Sequence, residues 1–156
     1  MSLLVRVDDR LVHGQVVVGW GRTLKLRRIV LVDDVVRANT WEQDLYRMGV
    51  PSGMKVEFVS VAEAPDAFAR SESDAEHTLV LVGSIETLVR LADVAPVARV
   101  NLGGIHQGPG REERLRYLFL TAEEATQLGA LADSGVSVTA QDVPTTTPIP
   151  LREVLQ

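Results

Sequence analysis

The chain has 156 residues, 46% of them hydrophobic and 24% charged, with a net charge of −5. That balance suits one globular domain with its own core, and excludes a disordered chain or a polybasic nucleic-acid binder. The sequence has no cysteine for disulfides or thiolate metal sites, no apolar run near the ~18 residues of a membrane span, and no signal-peptide pattern in Met-Ser-Leu-Leu-Val-Arg, so a cytoplasmic location is expected.

Short apolar runs alternate with longer amphipathic stretches, which predicts βαβ units and a parallel sheet. The first strand is Leu3–Val7. The segment Gln15–Gly21 has the valine triplet of a strand, but a crossover between parallel strands needs a helix there, and helix is expected. Arg28–Val32 reads as a second strand, and Val36–Met48 as one helix ended by Gly49 and Pro51. Val56–Val61 follows as a strand near a sheet edge. Ser60-Val-Ala-Glu63 then offers a capping box before a short helix to Arg70. Thr78–Val82 is a continuous apolar strand like the second, as expected for strands buried on both faces. Ser84 caps a helix over Ile85–Val94, and Val97–Leu102 is the next strand. Gly103–Arg114, with four glycines and a proline, reads as the most mobile segment. Leu115–Leu120 is a sixth strand. A helix capped by Thr121 and Glu124 is stopped at Gly135, and Val136–Val143 is a seventh strand near an edge. Pro144–Pro150 is a spacer before a last helix, Leu151–Leu155. The expected fold is therefore α/β, a single open, mainly parallel sheet of about seven strands with helices on both faces.

The stretch Arg6-Val-Asp8-Asp9-Arg10-Leu-Val-His13-Gly14-Gln15 is the candidate site. It leaves the carboxyl end of the first strand, the rim where open α/β sheets place their sites. His13 and Gly14 sit at a helix start, where free backbone N–H groups favour an anion. Arg10 lies three residues before His13, within reach of the same anion. Gly14 removes a Cβ where an oxyanion would approach. Free imidazole has a pKa of about 6.5, which makes a histidine a nucleophile available near neutral pH. Asp8 or Asp9 is placed to accept from one ring nitrogen and leave the other to attack. By themselves these residues describe an anion site. Asp33-Asp34 lies on the same rim, with Asp34 read as a turn or cap residue; His77 reads as an exposed strand opening, and His106 as a solvated loop residue, a role near the site being the alternative. Trp20 and Trp41 read as core or interface. Fourteen of the 16 basic residues are arginine, which suits phosphate and equally a GC-rich genome. No P-loop, dinucleotide fingerprint, metal spacing or serine elbow is present.

Arg6–Val16, Arg-Val-Asp-Asp-Arg-Leu-Val-His-Gly-Gln-Val, resembles the phosphorylation-site signature of the IIB subunits of the mannose/fructose/sorbose class of the bacterial phosphotransferase system. Arg28–Asp33 and Val100-Asn-Leu-Gly-Gly-Ile105 extend the resemblance along the chain. It implies that His13 takes a phosphoryl group at Nδ1 from a phosphorylated IIA protein. It further implies that His13 passes the group to the 6-hydroxyl of a sugar presented by membrane IIC and IID subunits, with no cofactor and no metal. On this resemblance His13 is nucleophile and carrier, Arg10 stabilises the transferring group, and Asp8 and Asp9 orient the ring or assist at the sugar. Arg6, Gly14, Gln15, Asn101, Gly103 and Gly104 are candidate phosphate ligands. Two alternatives keep the same residues: a regulatory phosphoacceptor without a transport role, and a phosphate-binding module with an inert His13. The identity of the sugar and the oligomeric state, a homo-oligomer included, stay open.

Overall fold

The computed structural model describes residues 2–156. Its main sheet has seven strands in the order β3-β2-β4-β1-β5-β8-β9. These are β1 (Leu4–Val7), β2 (Arg28–Val32), β3 (Lys55–Val59), β4 (Thr78–Val82), β5 (Arg99–Leu102), β8 (Ser137–Ala140) and β9 (Ile149–Pro150). All neighbours are parallel except β8 and β9. The central strands are apolar throughout because each feeds two cores by alternation. On one face Val5, Val7, Val30, Val32, Val80 and Val82 pack beneath α4 (Ala64–Ser71), α5 (Ile85–Val94) and α6 (Ala122–Asp133). On the other, Ile29, Leu31, Leu79 and Leu81 meet Val16 and Val17 of α1 (residues 15–23) and half-buried Tyr46 of α3 (Thr40–Met48). The expected edge positions of β3 and β8 agree with the observed order, β8 being covered only by the two-residue β9.

Topology wins over propensity at the valine triplet. α1 begins as a π-helical turn, Gln15–Trp20, and continues in α geometry over Gly21–Thr23. The capping residues work as read: Ser84 accepts from the Thr87 N–H, and Thr121 and Glu124 close a reciprocal box. Ser60 and Glu63 also exchange hydrogen bonds, although α4 itself starts only at Ala64.

Several expectations need correction. The single helix over Val36–Met48 is two, α2 (Asp34–Arg37) and α3 (Thr40–Met48). Asn39 adopts extended backbone and accepts from the Glu42 N–H, and the Gln43 amide donates to the carbonyls of Val36 and Arg37. An Asx cap with a glutamine covering the freed carbonyls makes a break as good as a continuation. Leu115–Leu120 lies outside the main sheet: β6 (Glu112–Leu115) and β7 (Leu118–Leu120) form an antiparallel hairpin. The loop Gly103–Arg114 is anchored on this hairpin at Ile105, which donates to Tyr117 and accepts from Phe119. The seventh sheet strand comes instead from the presumed spacer, where Ile149–Pro150 pairs with Thr139 and Ala140. A proline fits an outer strand, which needs no donor on its free side. His77 is half-buried, its Nδ1 3.3 Å from the Leu24 carbonyl oxygen, and not exposed. Trp20 is core and Trp41 is exposed. Among the described residues no helix is long and apolar enough to cross a membrane.

Candidate functional site

β1 and β5 are neighbours in register, Val7 opposite Leu102, so the loops that follow them start side by side. From there the chain parts. After β1 it runs through α1 on one face, and after β5 through the hairpin and α6 toward the other. This divergence is the switch point at which open α/β sheets form a crevice.

The loop 8–13 is built around a buried carboxylate. Asp8 is fully shielded from solvent, and its backbone N–H is anchored to the Val82 carbonyl at 3.0 Å. Its side chain accepts from the Arg10 backbone N–H at 3.1 Å and from the Arg10 guanidinium at 3.2 Å. Arg6 lies 3.6 Å away on its inner side. His13 Nε2 stands 3.3 Å from Oδ2, an ion-pair distance although the angle is poor for a hydrogen bond. Burial by itself would raise the Asp8 pKa, yet the contacts from His13 and Arg10 outweigh it and hold the carboxyl well below the usual range. Asp8 is therefore an anion at any physiological pH.

The tight turn is completed by Leu11, whose N–H donates to the Asp8 carbonyl and whose φ is 59°. A left-handed conformation is costly for a leucine, about 1–3 kcal/mol. Its buried side chain compensates by packing on Gly83, where an added Cβ would come within 3.0 Å of Leu11 Cδ2. The turn delivers His13 with its ring 17% exposed. With Nε2 on Asp8, Nδ1 accepts from the Gln15 N–H at 3.3 Å. A ring whose Nε2 proton faces a carboxylate carries its lone pair on Nδ1, the nitrogen next to the helix start. Gln15 Oε1 also accepts from Arg10 at 2.9 Å, so Arg10 and Gln15 flank the same ring. Gly14 is exposed, with nothing within 4 Å of the position a Cβ would take.

The remaining candidates divide. Arg6 lies inside the sheet behind Asp8, 1% exposed, and not at the rim. Its guanidinium is bound by the Asn101 side chain and by the carbonyls of Gln141 and Asp142, each at 2.9 Å, and stacks 4.6 Å over Trp20. Desolvation lowers the Arg6 pKa, and the nearby Asp8 carboxylate opposes that. Asn101 is committed to this inner network, and the Gly103 N–H is spent on the Val7 carbonyl at 2.7 Å, so neither is presented to an anion. Gly103 is needed for room: a Cβ there would lie 2.9 Å from the Val7 oxygen and overlap Arg6. Gly104 borders the site, its Cβ position 3.6 Å from Asp8 Oδ1. Asp9 pairs with His106. It accepts from the His106 N–H at 2.8 Å and lies 2.7 Å from the ring Nδ1. Sequence reasoning missed Gln141, and it missed that Arg6, Asn101 and Thr139 share one register row. The available signal was a polar residue inside each of three apolar strands, on the same alternating face.

Asp33, and not Asp34, caps α2 by accepting from the Val36 N–H, while Asp34 accepts from the Val61 N–H and Arg90. Their hydrogen-bond partners are different from those of His13.

A family model described as "PTS system sorbose subfamily IIB component" matches residues 2–156. The sorbose-specific EIIB component of the Klebsiella pneumoniae phosphotransferase system is 28% identical over 136 residues, spanning 86% of this chain and 83% of that protein. The N-acetylgalactosamine-specific phosphotransferase enzyme IIB component 2 of Escherichia coli is 27% identical over 153 residues, 98% of each. Among solved structures, manxB from Thermoanaerobacter tengcongensis superposes with a TM-score of 0.88 at 29% identity, covering 99% of this chain and 95% of that one.

Proposed function

Because this chain belongs to the sorbose-subfamily IIB components of the phosphotransferase system, we propose that it is a phosphohistidine carrier. In this reading His13 accepts a phosphoryl group from a phosphorylated IIA protein and delivers it to the 6-hydroxyl of a sugar held by membrane IIC and IID subunits. The observation that carries it is the orientation of one ring. Nε2 is turned to a buried, ionised Asp8, and Nδ1 is turned outward beside the Gln15 N–H.

That arrangement suits both half-reactions. In the first, the Nδ1 lone pair attacks phosphorus and the bond to the donor nitrogen breaks. The product ring is an imidazolium substituted at Nδ1 and protonated at Nε2, and the Asp8 carboxylate stabilises its positive charge. In the second, a sugar oxygen attacks the same phosphorus and the electron pair returns to Nδ1. Throughout, in this reading, Arg10 and N–H groups at the start of α1 turn to the phosphoryl oxygens and balance their charge. Open space around Gly14 leaves room for those oxygens.

The test is incubation with the general phosphotransferase proteins, a IIA protein and radiolabelled phosphoenolpyruvate. One acid-labile phosphoryl group per chain is expected on the wild type and none on His13→Ala, with unchanged circular dichroism. Transfer is then followed with membrane vesicles carrying IIC and IID and a panel of sorbose, fructose, mannose and N-acetylgalactosamine. An unlabelled wild type in the presence of a competent IIA overturns the reading.

A further inference from the structure

We propose that His106 is a second imidazole of the reaction centre: held by Asp9, it takes the proton from the acceptor hydroxyl as that oxygen attacks the phosphoryl group on His13. The inference rests on the carrier reading above and adds the group that handles the proton in its second half-reaction.

Asp9 and His106 are 97 residues apart, yet each of two loops meeting at the switch point places one of them. The Asp9 carboxylate accepts twice, from the His106 backbone N–H at 2.8 Å and from the ring Nδ1, 2.7 and 2.9 Å from its two oxygens. A ring nitrogen that close to a carboxylate carries the proton, so the lone pair lies on Nε2. The ring is 72% exposed, and among the described residues Nε2 has no hydrogen-bond partner.

Further contacts hold the backbone on both sides of the ring. Ile105, 1% exposed, is clamped to the β6–β7 hairpin through Tyr117 and Phe119. The His106 carbonyl accepts from Arg111 at 3.1 Å, and Arg111 is itself held by Glu124. A solvated loop histidine requires none of this support. A base whose far nitrogen is oriented by a carboxylate is the arrangement that activates hydroxyl groups, because the carboxylate stabilises the imidazolium as it forms.

His106 also shares a cavity with two residues of the His13 turn. This cavity of about 250 Å³ is lined by Arg10, Gln15, His106, Arg116, Tyr117 and Asp142. Arg10 and Gln15 are the residues that flank His13. Asp8 cannot serve as the base, being fully shielded and occupied by Arg6, Arg10 and His13. The charged groups that face His106 are Asp9 and Asp142 on one side of the balance, and Arg10, Arg111 and Arg116 on the other.

The hydroxyl oxygen forms a bond to phosphorus and its proton moves to His106 Nε2. The P–N bond to His13 Nδ1 breaks and its electron pair stays on the ring. A phosphate monoester, neutral His13 and protonated His106 result, and His106 returns its proton to water.

Separating the half-reactions tests this. His106→Ala should gain label from phospho-IIA within twofold of wild type, and should transfer it to the sugar panel about a hundredfold more slowly. Added imidazole should restore part of the lost rate. Asp9→Asn should show the same split with a smaller loss. Transfer by His106→Ala within twofold of wild type overturns the proposal and leaves the carrier reading standing. Equal loss in both half-reactions also overturns it, as does a large transfer defect in Asp142→Asn with none in His106→Ala. A wild type that takes no label overturns the carrier reading, and the proposal with it.

Discussion

With its side chain screened from solvent, Asp8 lies between Arg6 and Arg10 and faces His13. Replacing it by asparagine removes the nearest counter-charge of the buried Arg6 cation and leaves Asp142 as the next, a loss of up to about 3–5 kcal/mol. The expected result is a lower urea midpoint for Asp8→Asn together with slower labelling of His13. The same residue gives stability a pH dependence of definite sign. Its folded pKa is depressed by His13 and Arg10 against the opposing effect of burial, while the unfolded carboxyl titrates at about 3.9. As pH falls the unfolded chain takes up the proton first, so the stabilisation is complete above that value and is lost progressively below it. Thermal midpoints followed from about pH 6 to about pH 2.5 should fall more steeply for the wild type than for Asp8→Asn. At Gly103 the constraint is steric: an alanine there must push on the Val7 carbonyl and Arg6. Gly103→Ala should lower stability by about 1–3 kcal/mol, measured by urea unfolding.

Elements bring these residues together, and their limits are set by caps as much as by apolar pattern. Asn39 ends what the pattern alone presents as a continuous helix, and Asn39→Ala should cost about 0.5–2 kcal/mol in urea unfolding. The β6–β7 hairpin has a different role. It docks on Ile105 and so fixes the loop that carries His106. The π-helical start of α1 follows the His13 turn directly, and its buried Val16, Val17 and Trp20 seat it on the sheet. Trp20 in turn covers Arg6, which links the packing of α1 to the inner side of Asp8.

At the scale of the whole molecule, the site exists because the strand order places β1 beside β5 while their connections leave in opposite directions. Two apolar cores sandwich that sheet, and they are large enough to hold a buried Arg6–Asp8 pair in place. Leu81, on the central strand β4 and fully buried, tests the dependence of site on scaffold. Leu81→Ala should lose about 2–5 kcal/mol in calorimetry or urea unfolding. Labelling of His13 should persist at temperatures where the variant remains folded.

The sequence by itself determined the parallel α/β class, the capped ends of α5 and α6, and the rim stretch Arg6–Gln15 as the candidate site. Each of these is local: a strand's apolar run, a cap's hydroxyl and a signature's spacing lie within one short window. Only the tertiary structure decided that Asp8 faces His13 while Asp9 faces His106, since adjacent side chains leave a turn in directions that its backbone sets. Nor could a local window reveal that Arg6 and Asn101 point inward to each other, or that Ile149–Pro150 completes the sheet while Leu118–Leu120 leaves it. Those outcomes depend on partners dozens of residues away, and long-range register is decided by what the folded neighbours leave unpaired.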